Sequence, residues 1–193
     1  MTSPSPLLFN VYYHIYNRGI NGENIFIQER NYTHFLTLCT KYIEPVADIF
    51  AYCLLRNHFH LLVRIKSENE ICQTLKIWVA NQVDFESRDQ QNGASDQAKK
   101  YLRSFHPSKR FSDFFNSYAK AINAAYGRTG SLFHHPFGRV RITNEMQLVR
   151  VVTYIHQNPQ KHGFVDDFRD WKFSSYGTIL VQRPTQIRRD KVL

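Results

Sequence analysis

No stretch of the 193-residue chain approaches the roughly 20 consecutive apolar residues that a membrane helix requires, so a membrane-spanning protein is not expected. The opening Met1-Thr2-Ser3-Pro4-Ser5-Pro6-Leu7-Leu8 has no basic segment followed by an apolar run, which argues against a secretory signal. Cysteine is scarce. Cys39, Cys53 and Cys72 are odd in number, include no Cys-x-x-Cys pair and sit in apolar stretches, which speaks against a disulfide framework and for a reducing, cytoplasmic setting. There is no internal repeat, so a repeat array is not expected. Acidic residues are also in deficit: 16 Asp plus Glu stand against 25 Lys plus Arg, a formal net charge of +9, which makes nucleic acid or another polyanion a leading partner. Hydrophobic residues at 42% and aromatics at 15% are enough for one well-filled core.

Periodicity divides that core into elements. Val11, Tyr13 and Ile15 alternate with Tyr12 and His14, predicting a strand from Phe9 to Ile15 that turns at Asn17-Arg18-Gly19. Apolar residues between Glu29 and Ile43 recur every three to four positions, predicting an amphipathic helix capped by Asn31 and closed by Pro45. Ile49–Leu55 and His58–Ile65 read as a hairpin joined by Arg56-Asn57. A helix from Glu70 to Val83, with Trp78 and Val79, is followed by a polar insertion at 86–100. A third helix is expected from Ser112 to Gly127, then a short strand at Arg139–Ile142. A fourth helix is opened by Asn144 and Glu145 and stopped by Pro159. The expected division is a flexible N-terminus at 1–8, one domain at 9–180 and a basic tail at 181–193. The class is α+β around an antiparallel sheet, both of whose faces cannot be solvated.

The sharpest local feature is His58-Phe59-His60. Residues at i and i+2 of a strand share a face, so both imidazoles can address one divalent ion while Phe59 enters the opposite layer. In a chain with nine histidines the pair also fits two ordinary surface histidines. On the fourth helix Arg150, Tyr154 and Asn158 form a stripe separate from the apolar Leu148, Val151, Val152 and Ile155, and Asn158 could offer an amide oxygen to the same ion.

Together these residues resemble the single-tyrosine HUH transposases, the insertion-sequence-200-like group, and within it the branch associated with repetitive extragenic palindromes. The likeness rests on His58-Phe59-His60 and on Tyr154-Ile155-His156-Gln157-Asn158-Pro159-Gln160-Lys161-His162-Gly163. It extends to Tyr16-Asn17-Arg18-Gly19, to Gly127-Arg128-Thr129-Gly130-Ser131-Leu132-Phe133, and to Trp171, Phe173, Ser174 and Ser175. Where relatives tend to carry Gln-Gly-Arg after the phenylalanine, this chain departs with His134-His135-Pro136-Phe137-Gly138-Arg139.

The resemblance implies a ferredoxin-like fold with the HUH motif on a central strand, Tyr154 as nucleophile, and His58, His60 and Asn158 as metal ligands. It implies cutting and rejoining of single-stranded DNA beside hairpins, such as palindromic repeats or element ends, through a 5′-phosphotyrosine. Two imidazoles and an amide leave positions open for phosphate and water, which suits Mg²⁺ or Mn²⁺, with Zn²⁺ also compatible. A phenol, with pKa near 10, needs a nearby ion or base to ionise at neutral pH. Arg128, Arg139, Arg141 and Lys161 are the expected DNA contacts, with Phe133 and Phe137 available to stack on unpaired bases. The alternatives are a domesticated, non-cleaving binder of structured single-stranded DNA or RNA and, behind it, a small zinc-stabilised domain. Monomer and homodimer both remain open.

Overall fold

The computed structural model of the chain describes residues 5–83 and 105–180. The expected polar insertion at 86–100, the basic tail at 181–193 and the side chains of Trp78 and Val79 lie outside the described residues. The elements are β1 (Tyr12–Arg18), α1 (Glu29–Tyr42), β2 (Ala47–Leu55), β3 (His58–Ile65), α2 (Glu68–Val83), α3 (Pro107–Tyr126), β4 (Gly138–Ile142), α4 (Glu145–Lys161) and α5 (Tyr176–Leu180). The strands form one sheet in the order β2-β3-β1-β4, antiparallel at every step. This is the α+β, ferredoxin-like arrangement expected, with His58 and His60 on a central strand.

The β2–β3 hairpin closes as read, Leu55 facing His58 across Arg56-Asn57. A register shift between Ile49 and Ala51 puts both Phe50 and Ala51 on the α4 side of the sheet. On the opposite face Ile15, Phe59, Leu61 and Val63 pack with Phe35 and Leu38 of α1 and Phe111, Phe115 and Tyr118 of α3. On the α4 face Ala51, Cys53, Leu55, Leu62 and Ile142 lie under Leu148, Val151, Val152 and Ile155. The helix stripe and the strand alternation therefore meet where each needs cover.

Several boundaries differ from expectation. β1 starts at Tyr12, because Asn10 has a positive φ of 58° that interrupts extended backbone. Upstream of it Leu7 is already buried and its N–H donates to Ser108 Oγ, so chain packing begins within the segment expected to be flexible. Asn31 is not the cap but the third residue of α1, its Oδ1 accepting from the N–H of Gln28 at 2.8 Å and of Ile27 at 3.0 Å. α3 begins at Pro107, five residues before Ser112, because proline suits a first turn and Phe111 is drawn into the core. α4 passes through Pro159 and ends at Lys161. A proline in the last turn forfeits one backbone bond, and His162 N–H still donates to the Asn158 carbonyl at 3.0 Å.

After α4 the chain returns along the free edge of β2. Leu54 N–H donates to Phe173 O, Ser175 N–H to Tyr52 O and Trp171 Nε1 to Leu54 O, each at 2.9 Å. That edge is thereby closed to foreign strands. His156, buried on α4, hydrogen-bonds Ser175 Oγ at 2.9 Å and ties the returning segment to the helix that carries Tyr154.

Phe59 is the residue between the two histidines, and it is fully buried, with ring centroids 4.9 Å from Phe35, 5.6 Å from Phe115 and 6.1 Å from Phe133. Phe59→Ala is expected to lower unfolding free energy by about 3–5 kcal/mol, read as a lower urea midpoint. A change under about 1 kcal/mol would contradict this account of the core.

Candidate functional site

β3 presents His58 and His60 on the face that α4 crosses, and β1 adds His14 and Tyr16 to the same face through the pairing of Tyr16 with His60. The imidazole centroids of His58 and His60 are 5.2 Å apart, close enough for both to address one ion. The Tyr154 ring stands edge-on above them, 5.4 Å from His60 and 5.8 Å from His14, and the residue remains 39% exposed. Lys161, about two helical turns further along α4, holds its ammonium 5.2 Å from the centre of the Tyr154 ring.

The nitrogens are ordered by neighbours. His58 Nδ1 donates to Asn57 Oδ1 at 2.7 Å, which leaves Nε2 to face the site. His60 Nδ1 and His14 Nε2 share a hydrogen bond of 2.9 Å, which again leaves Nε2 of His60. That atom is buried and has no hydrogen-bond partner among the described residues. Asn158 is fully buried, and its Nδ2 donates to the Tyr154 carbonyl at 2.8 Å, so its Oδ1 is turned away from the helix. Asn158 Oδ1 likewise lacks a partner among the described residues, although Asn158 lies close enough to both histidines to favour their charged forms. Buried lone pairs left unpaired in one place are costly unless something from outside fills the gap. Two imidazole nitrogens and an amide oxygen, each oriented by a second hydrogen bond, are a donor set that fits a divalent cation. Among the described residues no group of three or more His, Cys, Asp or Glu side chains is arranged to hold a metal ion.

Burial keeps the imidazoles neutral, which is the form that ligates metal. It holds His60 down to about 2, helped by the neighbouring His14, His58 and His162, and it holds His14 and His58 down to about 4.

Beside the pair opens a cavity of about 590 Å³. Its walls come from the loop at His134 and Pro136 and from His162 and Phe164 just after α4, with Tyr16, Arg18 and Gly138 from the sheet. The loop is fixed to the end of β1: His134 N–H donates to Arg18 O at 3.0 Å and Asn17 Nδ2 donates to His134 O at 3.1 Å.

Of the expected site residues, the structure brings His58, His60, Tyr154 and Asn158 together and leaves the arginines dispersed. Arg128 is tied to Glu23 and to Asn123 Oδ1. Arg139 and Arg141 alternate with Gly138, Val140 and Ile142 along β4, and the pleat points them to the sheet face opposite the histidines. Arg139 stacks on Phe137 at 3.9 Å and donates to Ser5 O. Phe133 and Phe137 are not available for stacking: both are buried, Phe133 at 2% and Phe137 at 8% exposure, against Phe115 of α3. Two residues were missed by sequence reasoning. His14 shares the site through strand pairing, and the only local signal was its alternation with Tyr12 and Tyr16. Arg18, exposed and lining the cavity, was visible in the Tyr16-Asn17-Arg18-Gly19 run.

No protein-family model matches the chain, and no curated protein sequence matches it. Among solved structures the chain is similar to one described as a REP-associated tyrosine transposase bound to a REP hairpin, with 15% identity and a TM-score of 0.60 over 95% of this chain and 88% of that one. At this identity the likeness is one of fold, the four-stranded antiparallel sheet with helices on both faces. Among the described residues no helix is long and apolar enough to cross a membrane.

Proposed function

We propose that this protein is a divalent-metal-dependent DNA strand transferase that cuts and rejoins single-stranded DNA through Tyr154. The observation that carries the reading is the convergence of two buried atoms without partners among the described residues, His60 Nε2 and Asn158 Oδ1, beneath a half-exposed tyrosine. The neighbour in fold was captured on a REP hairpin, and this chain's net charge of +9 suits the same class of partner, hairpin-bearing single-stranded DNA.

His58, His60 and Asn158 would hold Mg²⁺ or Mn²⁺. When bound, such an ion withdraws charge from a non-bridging phosphate oxygen and eases attack by an anionic or phenolic oxygen. Tyr154 Oη attacks the scissile phosphorus. The new bond is Tyr154 O–P and the broken bond is P–O3′; the phenolic proton is lost to solvent, and the departing 3′ oxygen keeps the bonding pair and takes a proton. A 5′-phosphotyrosine and a free 3′-OH result. Attack by a 3′-OH on the phosphotyrosine reverses the step and rejoins strands, the phenolate leaving readily enough for exchange. Lys161 and Arg18 neutralise phosphates at the two ends of the site, so affinity falls with added salt.

The test uses purified protein, Mn²⁺ or Mg²⁺, and end-labelled single-stranded oligonucleotides with hairpins from the DNA flanking its gene. A label that migrates with the protein on a denaturing gel, only with metal present, is the expected result. Retention on a native gel with no adduct on any flanking hairpin would replace this reading with a non-cleaving binder.

A further inference from the structure

We propose that the cavity beside His58 is a seat for one unpaired nucleobase of the cut strand, with the Tyr16 ring as its floor. This rests on the strand-transferase reading and adds to it which part of the substrate is gripped beside the scissile phosphate.

The argument starts from the strand pleat. Tyr16 and Gly138 are register partners on β1 and β4, on the same face as His60. A Cβ placed on Gly138 would lie 2.3 to 2.7 Å from three ring carbons of Tyr16, inside any permitted contact. Only glycine lets the ring lie down on the edge strand; a side chain would lift it into the cavity or push it aside. The ring's underside is thus filled by backbone, while the residue stays 40% exposed. His14 stands at 5.2 Å and His60 at 6.1 Å from its centroid, so the platform is continuous with the proposed reacting centre.

The space above it suits a base. About 590 Å³ accommodates a nucleotide with water to spare. Pro136 and Phe164 are apolar parts of its lining, Asn57 and His134 offer polar edges, and the exposed Arg18 is available for the base's own phosphate. Phe133 and Phe137, the loop aromatics nearest in sequence, are buried on the other side of the sheet, so of the tyrosine and phenylalanine rings that line this cavity Tyr16 is exposed and Phe164 half-buried. An aromatic floor beside a cation is how proteins hold unpaired bases, and stacking is tolerant of base identity while hydrogen bonds on the walls are not.

The test uses Tyr154→Phe protein, so that nothing is cut, and gene-flanking hairpin oligonucleotides carrying single 2-aminopurine substitutions in their unpaired flanks. Stacking on Tyr16 is expected to quench one position selectively. Tyr16→Leu, at an exposed edge of the sheet, should release the quenching and weaken binding about ten-fold, Tyr16→Phe should retain both, and Gly138→Ala should behave like Tyr16→Leu by displacing the ring. Unchanged thermal unfolding separates these effects from loss of fold. Equal affinity and equal quenching in Tyr16→Leu and the Tyr16-containing parent would overturn the proposal. If the unsubstituted protein meanwhile forms its metal-dependent adduct, the strand-transferase reading survives that result; if it forms none, both readings fall separately.

Discussion

Tyr154→Phe is expected to reduce covalent adduct formation on hairpin oligonucleotides by at least about 10⁴-fold, the scale on which loss of a nucleophile is felt. The substitution removes one oxygen from a side chain that is 39% exposed and keeps the ring that stands against His60 and His14. The Asn158 amide bonds the Tyr154 backbone carbonyl, not its hydroxyl, so the orientation of Asn158 is preserved as well. Thermal unfolding and equilibrium DNA binding should therefore match the parent protein within error. The informative measurement pairs the denaturing-gel adduct with a native-gel titration on the same oligonucleotide. An adduct that persists in Tyr154→Phe would assign the nucleophile to another residue.

His60→Ala should act on two observables at once. His60 is 6% exposed, and its removal deprives the site of its Nε2, which has no partner among the described residues, and deprives His14 Nε2 of its hydrogen bond. Mn²⁺ affinity, followed by loss of the free-ion paramagnetic resonance signal on titration, is expected to fall more than about 100-fold, and metal-dependent adduct formation with it. Stability should fall by about 1–3 kcal/mol, from the cavity and the orphaned His14 nitrogen, so both assays belong well below the new unfolding midpoint. Undiminished Mn²⁺ binding by a folded His60→Ala protein would remove the metal from this pair. A domain held together by zinc makes the opposite prediction, that chelators unfold the unsubstituted protein.

The local pattern read correctly wherever one element carried the whole signal. The β2–β3 hairpin follows from two β-prone runs with a two-residue connection, and the apolar stripe of α4 is the stripe that meets the sheet. Boundaries were read less well for identifiable reasons. Pro159 has a strong local bias against helix, but in the final turn it forfeits a single bond, and packing of the buried Ile155, Asn158 and Pro159 outweighs it. Phe133 and Phe137 occupy a loop, where sequence offers no periodicity to say which side is buried; the large aromatic cluster around Phe115 claimed them.

That His58 and His60 share a face with Phe59 opposite, that Tyr154 is set apart from the apolar side of its helix, and that the chain carries excess positive charge are all legible without coordinates. These are consequences of strand and helix periods and of composition, which need no knowledge of neighbours. The placement of β1 between β3 and β4, which brings His14 to His60 and Tyr16 onto Gly138, arises only when the strands assemble. The same packing makes Arg139 and Arg141 face away from the histidines and sets Asn158, whose Oδ1 has no partner among the described residues, beside them. The position and register of β1 are set by pairings between residues 40 to 130 positions apart, and the burial of one face against α4 fixes them together, so no local window of the chain contains the answer.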